Sequence, residues 1–418
     1  MFDWIYILFF LTLLQAILFF ILFNKNILSP SVIVALMFSL SEFVAVLNEN
    51  WGHPIGELTT FVITSTIFAV ALGEAFALSL FSKKQHINFD YKALPKLDIS
   101  NKKLLLILVF QIFTLIYYYN ALKGFAISGE NIILEAKEAK GFGDVFDKKA
   151  IWLKNFSYCF AYICSFMFLY KYIFYNKKNI LFVIPSILYI INITLEGNRL
   201  ELIFLIAFWI IIGSCFYFQK NNWNYKCHIK IIKNAFLCFI IFLAFFIFLG
   251  SFKYTHITND PLHHIGFYIG MSIPSLDEYL INSNAQNFYF GEHSFYNIYT
   301  FLSKFINIST VFSPHLDFVC FNETCGNVYT FIGRYHRDFG YFGLYFIALM
   351  IGLFYRLFFE FIKNKQNFFI FMFALLYSPI FNVSIDDVFF FKIMSIGYIV
   401  VILMMYLLFK ILIKRNTL

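Results

Sequence analysis

Residues Phe2–Phe23 read FDWIYILFFLTLLQAILFFILF, one acidic side chain and then twenty residues without a charge. A bilayer core takes about 20 apolar residues of helix to cross. The stretch has no basic start and no small-residue cleavage site, so it reads as a span and not as a signal peptide. Ten further stretches qualify or nearly qualify: Ser31–Leu47, Leu58–Phe81, Leu104–Leu122, Ile151–Tyr170, Ile180–Leu195, Leu200–Phe218, Asn234–Leu249, Phe339–Phe359, Phe368–Ser378 and Val388–Phe409. The tenth span, Phe368–Ser378, is short enough to be half of a broken segment. Gly197–Asn198 is a turn signal inside a long apolar run, which favours two helices over one kinked helix. The expected fold class is therefore all-α, a polytopic integral membrane protein of about 11 transmembrane helices.

Composition agrees. The 418 residues are 61% hydrophobic and 13% charged, with 61 Phe and 27 Tyr. A soluble chain carries about 25% charge, so soluble multidomain and disordered classes are excluded for want of polar surface.

Charge orients the spans. Cytoplasmic loops collect Lys and Arg. Loops after odd-numbered spans carry Lys25, then Lys83 to Lys103, then Lys171, Lys177 and Lys178, then Lys220 to Lys233, then Lys363 and Lys365; Lys414 and Arg415 follow the last span. Loops after even-numbered spans are mixed or acidic, as at Glu49 and Glu57, Glu130–Lys149, and Asp386 with Asp387. The alternation predicts an odd number of spans, with the N-terminus outside and the C-terminus in the cytoplasm. It also accounts for the net charge of +8, because lysines split among short loops do not make a nucleic-acid face. The chain reads as one transmembrane domain, 1–418, with a long extracytoplasmic loop at 251–337 and a second at 123–150. The second loop holds Glu130–Lys140, with charges at helical spacing that read as a solvent-facing helix.

The long loop holds six of the nine histidines, and structureless loops of that length are usually functional. Short helices are expected in it over Pro261–Tyr268 and Ser275–Leu280, the latter capped by Ser275 with Glu278 in its first turn. Cys320 and Cys325 are both extracytoplasmic and form a candidate disulfide. Glu42, Glu74 and Lys392 fall at membrane depth, where charges are paired or functional, and Lys392 is a candidate partner for either glutamate.

Arginine is the informative residue. The chain uses 27 Lys and five Arg, at 199, 334, 337, 356 and 415. Arg356 and Arg415 are expected to serve the cytoplasmic edge. Arg199, Arg334 and Arg337 fall at the outer side, two of them within Arg334–Tyr335–His336–Arg337–Asp338 just before the ninth span. Guanidinium groups bind phosphate through a planar fork of donors. An outward cavity with three arginines, histidines, carboxylates and tyrosines suits a lipid diphosphate carrying sugars. A carboxylate or histidine there serves as base for a sugar hydroxyl, and guanidinium neutralises a departing diphosphate. Asp338–Phe339–Gly340 spells a kinase triplet without its companion motifs, and no Walker or Rossmann glycine pattern occurs, so no nucleotide cofactor is implied. Asp338 is instead expected to cap the ninth span.

The stretch Gly326–Asn327–Val328–Tyr329–Thr330, with Asp338–Phe339–Gly340–Tyr341–Phe342–Gly343 and later Gly352, resembles the bacterial oligosaccharide repeat-unit polymerases, the Wzy-type O-antigen and capsule polymerases. So do Pro274–Ser275–Leu276–Asp277, Gly291–Glu292–His293–Ser294–Phe295 and Arg199–Leu200–Glu201–Leu202–Ile203, the last departing from the usual leucine at Ile203. The resemblance implies a GT-C-like membrane glycosyltransferase bundle in a bacterial inner membrane, with a periplasmic N-terminus. Its reaction transfers a growing glycan from undecaprenyl diphosphate to the nonreducing end of a new lipid-linked unit, without cofactor or metal. The implied partners are undecaprenyl-diphosphate-linked oligosaccharide, membrane lipids, a flippase and a chain-length regulator. Arg199, Arg334 and Arg337 would then hold diphosphates. His336, Asp338, Glu292 and Glu196 are base candidates, and Asn327, Tyr335, Tyr329 and His293 are substrate-binding candidates. A lipid-linked oligosaccharide flippase and an O-antigen ligase are the rival readings; the first is expected to show internal repeats, which are not evident.

Overall fold

The computed structural model describes residues 3–48, 53–81, 96–124, 148–196, 199–223, 231–233, 266, 269–282, 290–306, 317–321, 324–363, 367–387 and 389–416. The chain is largely helical: α1 Ile5–Leu22, α2 Pro30–Val46, α3 Glu57–Leu80, α4 Asn101–Lys123, α5 Lys148–Tyr175, α6 Ile184–Glu196, α7 Arg199–Lys220, α8 Ser272–Asn282, α9 Tyr296–Leu302, α10 Thr330–Ile362, α11 Asn367–Tyr377 and α12 Ile396–Leu412. Two antiparallel ladders of three-residue strands, which the apolar pattern does not announce, join β1 Lys96–Asp98 to β4 Lys414–Asn416 and β2 Val319–Phe321 to β3 Thr324–Gly326. Among the described residues, six helices are long and apolar enough to cross a membrane, and four shorter apolar helices accompany them. This is a multi-pass membrane protein. The expected span Asn234–Leu249 and the segments Glu130–Lys140 and Pro261–Ile265 lie outside the described residues.

Several boundaries differ from the sequence expectation. The run Ile180–Phe218 is two helices, α6 and α7. The expected span Val388–Phe409 is broken: a π-helical turn covers Phe389–Ile393 and α12 starts at Ile396. An additional helical segment opens at Thr330, where the backbone N–H groups of Thr330 and Phe331 find the carbonyls of Ile385 and Val383, each at 3.0 Å, and the expected span Phe339–Phe359 matches the helix that follows the break at Gly340. Helical starts need such acceptors. Gly340, at φ 64° and ψ −171°, then breaks α10. In α8 the helix starts at Ser272, so Ser275 is not its cap. Pro274 sits in the first turn, where its missing N–H costs nothing.

The chain forms two compact units. One comprises Met1–His86, Asp260–Gln366 and Leu376–Ile399, and the other Ile87–Asn259, Asn367–Leu375 and Val400–Leu418. In the second unit, one end gathers the start of α4 and the ends of α5, α7 and α12. There β1 pairs with β4, Lys171 binds Asp98, Lys103 donates to the carbonyl of Ile411, and Lys220 donates to that of Ile173. Inside it, Phe166 makes edge contacts with Phe216, Phe371 and Phe409, the offset geometry that aromatic quadrupoles prefer.

In the first unit α3 and α10 run parallel. Ser65 meets Tyr345, and farther along Glu74 meets Arg356. The backbones touch through two glycines. A Cβ at Gly73 would lie 1.9 Å from the Leu349 carbonyl oxygen, and one at Gly352 would lie 2.0 Å from that of Val70. Small residues allow this approach between apolar helices. The contact seats a buried charge cluster. Oε1 of Glu74 accepts from Nη1 of Arg356 at 3.0 Å, and Oε2 accepts from the Ser29 and Ser31 hydroxyls and the Ser31 N–H at 2.6, 2.7 and 3.2 Å. Glu74 thereby caps α2 as well. Arg356, expected at the cytoplasmic edge, is instead 2% exposed, and it takes the place foreseen for Lys392, whose ammonium lies 5.3 Å from the centre of the Tyr398 ring. Arg356 also binds Glu360, which binds Lys363. Glu42 is paired with no cation; Thr12 donates to it.

Overpacking a tight contact costs about 1–3 kcal/mol. Gly352→Ala is therefore expected to lower the unfolding midpoint in detergent, read by a thiol-reactive dye. Gly213→Ala, where an added Cβ meets nothing within 4 Å, is expected to leave it unchanged. Equal midpoints for the two variants would remove the glycine contact as the reason α3 and α10 pack so closely.

Candidate functional site

The first segment of α10, between its start at Thr330 and the break at Gly340, carries Arg334, Tyr335 and Asp338 on one helical face, at positions i, i+1 and i+4. Each reaches a different strip of backbone. Arg334 grips Asp386 through Nε at 3.2 Å and Nη2 at 3.1 Å to both carboxylate oxygens, and its Nη1 donates to the His293 carbonyl at 3.3 Å. Its guanidinium lies 5.2 Å from the centre of the Phe391 ring. Tyr335 donates its phenol proton to Asp387 at 2.7 Å. That carboxylate also accepts the N–H groups of Phe389 and Phe390 and so caps the π-helical turn. Asp338 accepts the N–H groups of His293 and Ser294 at 3.2 and 2.6 Å. Asp338 therefore does not cap the ninth span, as expected from sequence. It sits inside α10, and its carboxylate serves a neighbouring turn.

That turn, Phe290–Phe295, exists because Gly291 sits at φ +67°, where a side chain is strained and a Cβ would strike the Phe295 ring. It presents three buried polar side chains in a row: Glu292 and His293, each 3% exposed, and Ser294, 1% exposed. Nε2 of His293 lies 3.3 Å from the Glu292 carboxylate. Among the described residues, neither ring nitrogen of His293 nor the Ser294 hydroxyl has a hydrogen-bond partner. Burial, then the nearby Arg337, hold the His293 imidazole below its ordinary value against the opposing pull of Asp338 and Glu292. Burial pushes the Asp387 carboxyl up to about 6, against the attraction of Arg334.

The other predicted residues surround this core. Arg337 retains 20% side-chain exposure and lies 3.6 Å from Asp317, which is 88% exposed. His336 packs between Tyr279 and Tyr341, with ring centroids 5.8 and 4.3 Å away. Tyr329 donates to the Asp317 carbonyl, and Asn327 is half-buried just after β3. Cys320 and Cys325 are bonded, with S–S 1.99 Å, across the β2–β3 hairpin. Phe321 of that hairpin packs on His53, which pairs with the buried Asp277 of α8 at 2.9 Å. The structure thus brings Arg334, Asp338 and Glu292 to His293, with Tyr335 beside Arg334 on the same turn but bonded to Asp387. Arg199 starts α7 in the second unit, and its side chain and that of Glu196 lie outside the described residues.

Sequence reasoning passed over three partners: Asp386 and Asp387, read only as loop charges, and Ser294. An acidic pair at a span edge, in a chain with so few arginines, was the available signal. Among the described residues, no group of three or more His, Cys, Asp or Glu stands close enough to hold a metal ion. No protein-family profile, no curated protein and no solved structure matches the chain.

A carboxyl raised from 3.8 to about 6 on folding favours the fold when protonated. Its contribution, about 3 kcal/mol at 1.36 kcal/mol per pH unit, is fully present below about pH 4 and lost as pH rises through about 6. Asp387→Asn keeps an acceptor for Tyr335 without the charge. It is expected to flatten the fall in unfolding midpoint between pH 4 and 7 that wild type shows. Parallel wild-type and variant curves would mean that Asp387 does not titrate in that window.

Proposed function

We propose that this chain polymerises lipid-diphosphate-linked oligosaccharide repeat units at the outer face of a bacterial inner membrane. The observation that carries the reading is the fixed turn Arg334–Asp338. It places two guanidinium groups, a histidine-bearing loop and several carboxylates at one end of an apolar bundle. That end of α10 lies opposite its Glu360–Lys363 end, and the sign of the loops supports reading it as the periplasmic one. The finer architecture proposed with it is a GT-C-like bundle of about eleven spans, with the N-terminus periplasmic and the C-terminus cytoplasmic.

In this reading the donor glycan enters on undecaprenyl diphosphate from the bilayer, and the acceptor is a second lipid-linked unit. Arg337, the partly exposed arginine of the turn, binds the departing diphosphate; Arg199, in the second unit, is a separate diphosphate-binding candidate carried by the family resemblance alone. A guanidinium suits both tasks because it stays charged in a poorly hydrated site and offers two parallel donors. Arg334 is occupied by Asp386 and the His293 carbonyl, so its part is to position the loop that carries Glu292 and His293. Tyr335 is buried and hydrogen-bonded to Asp387, and it too positions. Charge developing on the leaving oxygen is then stabilised by oriented donors that need no reorganisation during the reaction. A flippase that delivers the units and a regulator of chain length complete the proposed set of partners.

Purified full-length protein, given a lipid-diphosphate-linked oligosaccharide with no nucleotide sugar, is expected to yield a gel ladder spaced by one repeat unit. Arg337→Lys and Arg199→Lys keep the charge and lose the fork. Each is expected to slow the ladder about 100-fold, the scale of losing one donor at a developing charge, with expression and insertion unchanged. Movement of the lipid across a proteoliposome membrane with no ladder would replace the polymerase with a flippase. One added unit on a lipid core, and no ladder, would replace it with a ligase.

A further inference from the structure

Four titratable side chains in and around the Phe290–Phe295 turn compete for the role of base, and their surroundings separate them. Asp338 spends both oxygens on backbone N–H groups. His336 packs against the rings of Tyr279 and Tyr341 and has one unpartnered nitrogen, Nδ1, with no carboxylate in contact among the described residues. Glu292 lies against His293. Among the described residues, His293 alone combines burial, two nitrogens with no hydrogen-bond partner, and a carboxylate beside one of them. A histidine kept for packing is normally hydrogen-bonded once buried. Leaving a buried polar atom unsatisfied costs about 1–3 kcal/mol, and here the adjacent Ser294 hydroxyl is unsatisfied too.

The backbone under this side chain is held unusually well. The N–H of His293 is fixed by Asp338 and its carbonyl by Arg334. Both anchors come from the α10 turn that carries Arg337. The imidazole is thus tied, through one rigid turn, to the guanidinium assigned to the departing diphosphate. The carboxylate at Nε2 favours the tautomer with its proton there, which leaves the Nδ1 lone pair as the acceptor.

We infer that His293 is the general base that removes the proton from the acceptor sugar hydroxyl, with Glu292 as its positioning residue; this rests on the polymerase reading above. The step balances without a co-reactant. The acceptor O–H proton passes to Nδ1 of His293 as the acceptor oxygen bonds to the anomeric carbon of the donor. The bond from that carbon to the diphosphate oxygen breaks, and its electron pair leaves with the lipid diphosphate, facing Arg337. The imidazolium then returns its proton to water. A base must be neutral to act. The groups facing this ring are Glu292 on its own turn and Arg334, Arg337 and Asp338 on α10, and the net result with burial is a lowered imidazole value. The site is therefore in its working form at neutral pH.

The test is kcat/KM against pH from 5 to 9 for full-length wild type, His293→Ala, His293→Gln and Glu292→Gln, with the lipid-linked oligosaccharide as substrate. Wild type is expected to show a rising limb with its midpoint below 6.5. Both His293 variants are expected to lose about 100- to 10,000-fold and the limb with it, while binding of the lipid substrate stays within about threefold, since a base adds rate and not ground-state affinity. Free imidazole is expected to restore part of the His293→Ala rate, and Glu292→Gln to shift the limb. A wild-type ladder with the limb unchanged in His293→Gln would overturn the assignment and leave the polymerase standing. So would a folded, inactive His293→Ala that imidazole leaves inactive. A wild type that makes no ladder would remove the polymerase reading, and this assignment with it.

Discussion

The bidentate pair between Arg334 and Asp386 is the constraint on which one end of the first unit depends. A buried guanidinium with its partner removed is among the costlier faults a fold can carry. Arg334 is 3% exposed, and its remaining donor, Nη1, goes to the carbonyl of His293. One side chain of α10 therefore fixes the broken stretch 383–390 and the loop 291–295 together. Tyr335 and Asp338 repeat the pattern on the same helical face, one toward each strip. The start of α10 follows from this, because the carbonyls of Val383 and Ile385 satisfy its first N–H groups. Non-helical backbone among apolar helices is tolerable only where its polar groups find protein partners. Arg334, Tyr335, Asp338 and Asp387 supply them.

The other end of α10 solves a different problem by similar means. Glu74, Arg356, Glu360 and Lys363 form a chain of alternating charge, and Glu74 also accepts the donors at the start of α2. The glycine contacts at Gly73 and Gly352 bring α3 and α10 close enough for Arg356 to reach it. Van der Waals packing of small residues and charge pairing are coupled here, since neither helix places its charge correctly without the close approach. α10 is thus pinned at both ends by its arginines, and its glycine break at Gly340 lies between them.

How much of this was legible beforehand differs by level. The all-α class and several long apolar helices were legible, because a 20-residue apolar run has few other uses. Helix starts were less legible: the additional segment of α10 opens at Thr330 where distant carbonyls accept its N–H groups, and nothing local encodes that. Pairing of the buried charges was misread at Lys392 and Arg356 for a related reason. Sequence shows which residues sit at membrane depth, but Arg356 and Glu74 are far apart in the chain and only helix packing brings them together. In the candidate site, the rarity of arginine pointed to the turn of α10 where Arg334 and Asp338 hold the neighbouring loop. It did not separate the arginine that carries structure from the one that keeps exposure, because that depends on Asp386, fifty-two residues from Arg334.

That separation bears on how such a site divides its work. Under the proposed function, Arg334 carries the geometry, and Arg337, which keeps 20% side-chain exposure beside Asp317, is the arginine proposed to meet the ligand. With Arg334 committed to Asp386, the helix turn, the 291–295 loop and the π-helical turn at Phe389–Ile393 keep their places whether or not Arg337 is occupied. Preorganisation of this kind is what lets oriented dipoles and charges act on a reacting group without first rearranging.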